Sequence, residues 1–343
     1  MLHGITKGRK LMKPKHNSIH LSLAGLVIVL SILLLGGCAK KADNKVIIFA
    51  SAEDYRVEHM QKRFAEEFPD LDITVEYLTT GNHAAKLMAE LTKTECDITY
   101  DLEYGYLNQI AQAGGLAKLT NYDLSIFTDD TAISEYYLPE LRNGGSIIIN
   151  PAVLAKYNLA VPASYQDLLK PEYKNLISMA NPKSSGTGYM FLKSLVNAWG
   201  EDAAFTYFEE LTKNILQYTS SGSGPVNALL QGEVAIGLGM TAQAVTKIND
   251  GADLKILFFD EGSPYSLYGL GIINGKENKE AVQRVFNFLY TTIGYEMVEL
   301  FYPERIYKDT IFEIENYPQD INYADMSNDT IEEKQHLLAR WNF

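Results

Sequence analysis

Two serine- and glycine-rich runs, each leading into an apolar helical pattern, are the parts of this chain best suited to chemistry. The first is Pro182-Lys183-Ser184-Ser185-Gly186-Thr187-Gly188, followed by Tyr189-Met190-Phe191-Leu192. The second is Tyr218-Thr219-Ser220-Ser221-Gly222-Ser223-Gly224-Pro225, followed by Val226-Asn227-Ala228-Leu229. A helix start leaves backbone N–H groups unpaired and carries about half a positive charge, so hydroxyls and glycines there make a cradle for an anion. Glycine also lets a ligand come close to the backbone. Serine and threonine cap helices with or without a ligand, so either run alone says little. Neither ends in the Gly-Lys-Ser/Thr of a nucleotide-hydrolysing phosphate loop.

Other candidates carry less. Glu53 and Asp54 are adjacent, so in a strand they would face opposite ways and in a loop nothing fixes a catalytic spacing. His59 and His83 fall at or inside helical patterns beside polar neighbours, where a solvated or capping role is expected. There is no Gly-x-Ser-x-Gly elbow. An exported hydrolase, the reading from another class, would need a nucleophile–base pair that the pattern does not supply. Tyr104, Tyr106, Tyr265 and Tyr268 read as core or rim residues rather than ligand stackers. No catalysis and no cofactor are expected.

The elements that must position these groups alternate. Strand patterns fall at 46–50, 72–78, 97–100, 146–150, 176–179, 235–238 and 254–259, and helical patterns at 55–68, 83–92, 107–113, 188–199, 203–211, 226–230, 241–248, 279–301 and 331–341. This alternation predicts an α/β architecture.

The N-terminus says where such a fold would work. Lys7, Arg9, Lys10, Lys13 and Lys15 form a basic stretch without an acidic residue, an apolar run spans 21–35, and Leu35-Gly36-Gly37-Cys38 comes next. A basic region, a short apolar core and small residues before a cut site describe a secretory signal, and the core is short for the ~30 Å of a membrane interior. Met12 opens a complete signal of its own, so the start is open between Met1 and Met12. Removing residues 1–37 takes away five basic residues and moves the formal charge from −13 to −18. The remaining His59, His83, His336 and Cys96 assemble no zinc-type cluster, and one thiol forms no internal disulfide. The acidic balance argues against nucleic acid.

The stretch 171–239 is more specific than its parts. Its Ser185-Gly186-Thr187 loop, the Gly200-Glu201 after Trp199, Ala203 with Phe208, the Ser221-Gly222-Ser223-Gly224-Pro225 loop and Gln231-Gly232-Glu233-Val234-Ala235 closely resemble the second lobe of the iron(III)-type periplasmic solute-binding proteins of ABC importers. Members of that family bind ferric iron, phosphonates or sugar phosphates. Leu35–Cys38 resembles the bacterial lipobox, in which the cysteine is lipidated. The resemblance implies a two-lobe venus-flytrap fold, each lobe a mostly parallel sheet flanked by helices, with crossover strands near 146–150 and 254–260 forming the hinge. It implies a signal peptide at 1–37, a lipidated tether at 38–44, lobe one at 45–145 plus 260–300, and lobe two at 146–259 plus 301–343.

The function implied by this resemblance is the capture of a small oxyanion-bearing solute, a phosphonate or phosphate ester. A lipid-anchored monomer on the outer face of the membrane would bind it and work with a permease and its ATPase. The expected ligand-binding residues are Ser51, Glu53, Ser184, Ser185, Gly186, Thr187, Ser220, Ser221, Ser223, Gly224 and Thr241. Ferric relatives place a tyrosine pair where this chain has Met240-Thr241, and its Tyr136-Tyr137 pair lies on the other side of the first crossover. Ferric ion, the alternative cargo, needs anionic oxygens. Glu53, Tyr55, Asp101 and Glu103 would be the donors.

Overall fold

Strands and helices follow in the order β1 (Lys45–Ala50), α1 (Asp54–Glu67), β2 (Asp72–Tyr77), α2 (Thr80–Glu90), β3 (Ile98–Glu103), α3 (Tyr104–Gln112), β4 (Leu138–Ile149), α4 (Pro151–Lys156), β5 (Ile177–Ala180), α5 (Gly186–Trp199), α6 (Glu201–Thr212), β6 (Ile215–Thr219), α7 (Gly224–Leu230), β7 (Ile236–Met240), α8 (Thr241–Asn249), β8 (Lys255–Leu257), β9 (Tyr265–Ile272), α9 (Glu280–Phe288), α10 (Gly294–Leu300) and α11 (Ile331–Arg340). The computed structural model describes residues 44–343 except 129, 130, 132, 133 and 305. The expectations for residues 1–43, Cys38 among them, lie outside the described residues.

The sheet runs β2-β1-β3-β9-β4-β7-β5-β6. Its two ends are parallel, β2-β1-β3 on one side and β7-β5-β6 on the other. Between them β9 lies antiparallel to both β3 and β4, and β4 lies antiparallel to β7. This is the two-lobe flytrap arrangement, with each parallel half carrying its own core. Val46, Ile48, Ile98, Val282 and Phe286 fill the first, and Ile177, Met179, Phe191, Leu195 and Phe208 the second. Such buried parallel strands read as apolar runs, which is why most of them are visible in the sequence.

Three departures matter. The second crossover is β9, not 254–260, where only the short β8 pairs with the end of β4. β9 is hard to see in the sequence because Gly269 and Gly271 interrupt it and Tyr265, Leu267, Tyr268, Leu270 and Ile272 keep no regular alternation. The first crossover starts at Leu138 rather than 146, since Pro139, Glu140, Arg142, Asn143, Gly144 and Gly145 conceal a strand that is buried along its whole length. Finally, the residues that open the 301–343 segment pack against both lobes, with Tyr302 clustering with Ala242 and Val245 of α8. Phe301 sits 5.1 Å from the Tyr55 ring, and Ile306 and Tyr307 pack with Phe127 of lobe one. The rest of the segment joins lobe two: the Asn249 amide donates to the Glu315 carbonyl at 2.8 Å, the Asn197 amide to the Asp325 carbonyl at 2.9 Å, and Leu337 and Trp341 enter the core.

Candidate functional site

A cavity of about 280 Å³ opens between the lobes. Of the expected residues, Ser51, Glu53, Ser184, Ser185, Thr187, Ser220, Ser221 and Ser223 all line it. Both Ser/Gly runs start helices as their sequences indicate. Ser185 caps α5 and accepts from the Gly188 N–H at 3.5 Å, and Pro225 occupies the first turn of α7. The loops are tied together, because the Ser184 hydroxyl donates to the Ser220 carbonyl at 2.9 Å. Gly222 is required by that closeness, since a Cβ there would collide with the Thr187 hydroxyl.

Three expected residues do not line the cavity. Gly186 packs against Tyr268, whose hydroxyl a Cβ would strike, and Gly224 packs against the Thr219 side chain. Thr241 is fully buried at the start of α8, and its neighbour Met240 takes the cavity position instead.

Lobe one supplies a wall that sequence reading largely missed. Tyr77, Thr79 and Thr80 face the serine loops, and the Gly81 N–H donates across the cleft to the Ser184 carbonyl at 3.2 Å. Thr79-Thr80-Gly81 is a third hydroxyl-and-glycine helix start, the same signal as the other two, and that signal would have found it. His83 is neither solvated nor a cap. It is buried, with Nδ1 2.9 Å from the Ser51 hydroxyl and Nε2 3.0 Å from the Thr99 hydroxyl. Burial lowers its pKa to about 3, so the ring stays neutral and fixes Ser51 at the cavity edge. His59 does sit at the surface of α1, 2.8 Å from Glu296.

Beneath the cavity, Arg56 is 1% exposed and holds three carboxylates. Its guanidinium lies 3.1 Å from Glu53 and 3.2 Å from Asp101, and it bonds Glu140. Glu53 also accepts from the Tyr302 hydroxyl at 3.1 Å. Burial raises the Asp101 carboxyl to about 6 against the pull of Arg56, and it raises Glu140 as well. A second buried pair joins the lobes at the cleft edge. Lys334 of α11 bonds Glu103 at the end of β3, with its ammonium 3.9 Å from the Tyr189 ring centre and 4.4 Å from that of Tyr106.

These pairs bear on the ferric donor set. Glu53 and Asp101 line the cavity but are engaged by Arg56, whereas Glu103 is held by Lys334 and Tyr55 packs on Phe301 away from it. Among the described residues no group of three His, Cys, Asp or Glu side chains is arranged to hold a metal ion.

The sequence matches the family model for bacterial extracellular solute-binding proteins over residues 50–296. It is 24% identical to a putative 2-aminoethylphosphonate-binding periplasmic protein of Salmonella typhimurium, over 76% of this chain and 78% of that one. The structure is similar to that of the periplasmic binding protein AfuA from Actinobacillus pleuropneumoniae with fructose-6-phosphate bound, with a TM-score of 0.77 and 25% identity, covering 87% of this chain and 97% of that one. Iron-bound HitA from Pseudomonas aeruginosa shares the fold at a TM-score of 0.70 and 16% identity, over 86% and 98% of the two chains. The two-lobe sheet, the cleft between its halves and a family match across most of the length agree: the chain belongs to the bacterial extracellular solute-binding proteins, the ligand-capturing subunits of ABC importers.

Proposed function

We propose that the cleft captures a small solute bearing an oxyanion, a phosphonate or phosphate ester, and catalyses no reaction. The observation that carries this reading is the hydroxyl wall of Ser184, Ser185, Thr187, Ser220, Ser221 and Ser223, with Thr79 and Thr80 opposite. Hydroxyls whose protons are not already engaged, as that of Ser184 is by the Ser220 carbonyl, can donate to an anionic oxygen, and a hydrogen bond to a charged group contributes about 1.5–3 kcal/mol. Glu53 and Asp54 at the lobe-one side suit a cationic or hydroxyl-rich end. Similarity to a phosphonate-binding and a sugar-phosphate-binding protein supports the same choice.

Calorimetric titration with phosphonates, sugar phosphates and ferric citrate tests it. Ser223→Ala is expected to weaken phosphonate or phosphate-ester binding about ten- to a hundredfold with little change in stability, since among the described residues its hydroxyl bonds that of Ser221, at 2.8 Å. Ser185→Ala should cost similar affinity and also about 1 kcal/mol of stability, because that hydroxyl caps α5. Tight ferric binding that survives Ser223→Ala but fails in Glu53→Gln would overturn the oxyanion reading in favour of iron.

On the same reading the protein sits on the outer face of the membrane as a lipid-anchored monomer, held through Cys38 and delivering solute to a permease driven by its ATPase. Lobe one then comprises roughly 45–145 with 260–300, and lobe two roughly 146–259 with 301–343. Cys38→Ala is expected to abolish lipidation and leave the 1–37 segment uncut. Mass spectrometry of the membrane fraction would contradict this if wild-type protein carried no lipid and began at Met1 or Met12.

A further inference from the structure

We infer that Asp101 and the side-chain oxygen of Asn143 form an ammonium subsite, through which the cleft selects zwitterionic solutes over otherwise identical ones lacking an amine. This rests on the oxyanion reading above and specifies the chemistry of the opposite end of the solute. Asp101 is 4% exposed and Asn143 is 5% exposed, yet both line the cavity. Asp101 sits where the β3–β9 register shifts between Thr99 and Leu102, and its φ of 55° turns the backbone out of the ladder. Residues held in that left-handed region gather at ligand sites, where surrounding structure imposes the conformation. The Asn143 side-chain oxygen has no hydrogen-bond partner among the described residues. A buried acceptor without a donor is costly, and an ammonium brings three donors and no acceptor.

Charge points the same way. One guanidinium, Arg56, is shared by Glu53, Asp101 and Glu140, and Asp54 adds a further carboxylate at the cavity wall. A hydroxyl-rich end would leave this excess of negative charge as it stands, whereas an ammonium reduces it. Glu53 already shares one oxygen between Arg56 and Tyr302, so Asp101 is the better placed anchor. Burial inclines the Asp101 carboxyl to hold a proton, which an arriving ammonium displaces.

The test titrates wild type, Asp101→Asn and Asn143→Ala with 2-aminoethylphosphonate, ethylphosphonate and 1,4-diaminobutane. Wild type is expected to prefer the aminophosphonate over ethylphosphonate about ten- to a hundredfold. In Asp101→Asn that preference should fall below about threefold, with ethylphosphonate bound no more weakly. Asparagine tolerates a positive φ as aspartate does, so the fold is retained, and Asn143→Ala provides an independent loss of preference from another strand. Ser223→Ala should weaken both phosphonates alike and leave their ratio unchanged. Equal binding of the two phosphonates by wild type, an undiminished preference in Asp101→Asn, or binding of neither amine probe overturns the subsite. Capture of the diamine alone, lost in Asp101→Asn, would instead keep the subsite and overturn the oxyanion reading.

Discussion

Arg56→Met is expected to destabilise the protein by about 3–5 kcal/mol near neutral pH, the usual result of removing one partner from a buried ionic cluster. Arg56 is the cation on which Glu53, Asp101 and Glu140 converge, and it also stacks 5.0 Å from the Tyr302 ring centre. Methionine fills part of the space but leaves the carboxylates facing one another. The loss should depend on pH in a defined sense. Asp101 and Glu140 have folded pKa values raised by burial, and they rise further without Arg56. Groups raised on folding contribute stability that is fully present below their unfolded pKa, about 4, and lost as pH rises through the folded value. The deficit of the variant should therefore shrink as pH falls through about 6, the value for Asp101 in the intact cluster. Urea unfolding at about pH 7.5 and about pH 5 measures it, and adding Glu140→Gln should restore part of the loss. A loss below about 1 kcal/mol, or one independent of pH, would mean that the cluster is not the charged assembly described.

Lys334→Met should produce a loss of the same order, about 3–5 kcal/mol, for a related reason. The Lys334 side chain is 2% exposed and Glu103 is its buried partner, so the variant strands a carboxylate that burial already pushes upward in pKa. The cations differ in what they join. Arg56 organises lobe one, while Lys334 links Glu103 and Tyr106 of lobe one to Tyr189 of lobe two. Lys334→Met with Glu103→Gln should recover most of the loss, because neutral groups at both positions no longer bury an unpaired charge. The coupling from the complete cycle is the measurement. Additive single effects would show that the two side chains do not depend on each other.

The parts of this molecule that could be read from sequence are those whose signals are local. Ser185, Gly188 and Pro225 announce helix starts by capping and turn chemistry within a few residues, and the alternation of buried strands and helices announces the architecture. Where the signal is tertiary, reading fails. Nothing near Asp101 in the sequence reveals the register shift that turns it into the cleft, because that shift is defined against β9. Glu140 and Arg142 look like loop residues until the pairing of β4 with β9 buries them. His83 looks like a surface histidine because its partners, Ser51 and Thr99, come from two other strands' ends. The Thr79-Thr80 wall is a different kind of miss, since its pattern is local and simply shorter than the serine runs.

His83 and Asp101 also enter a proton count. Between about pH 4 and pH 6.5 the unfolded chain carries a proton on His83 that the folded ring, with its pKa near 3, does not. Up to about 6 the folded chain carries a proton on Asp101 that the unfolded one has released. The first difference makes stability fall with acid and the second makes it rise, so their slopes are opposite and equal. Between these two groups alone, folding exchanges one proton site for another. For a domain whose surroundings are set by the medium rather than by a buffered cytoplasm, the contributions of these two groups cancel across mildly acidic conditions, and the tilt that remains comes from other buried carboxyls such as Glu103 and Glu140.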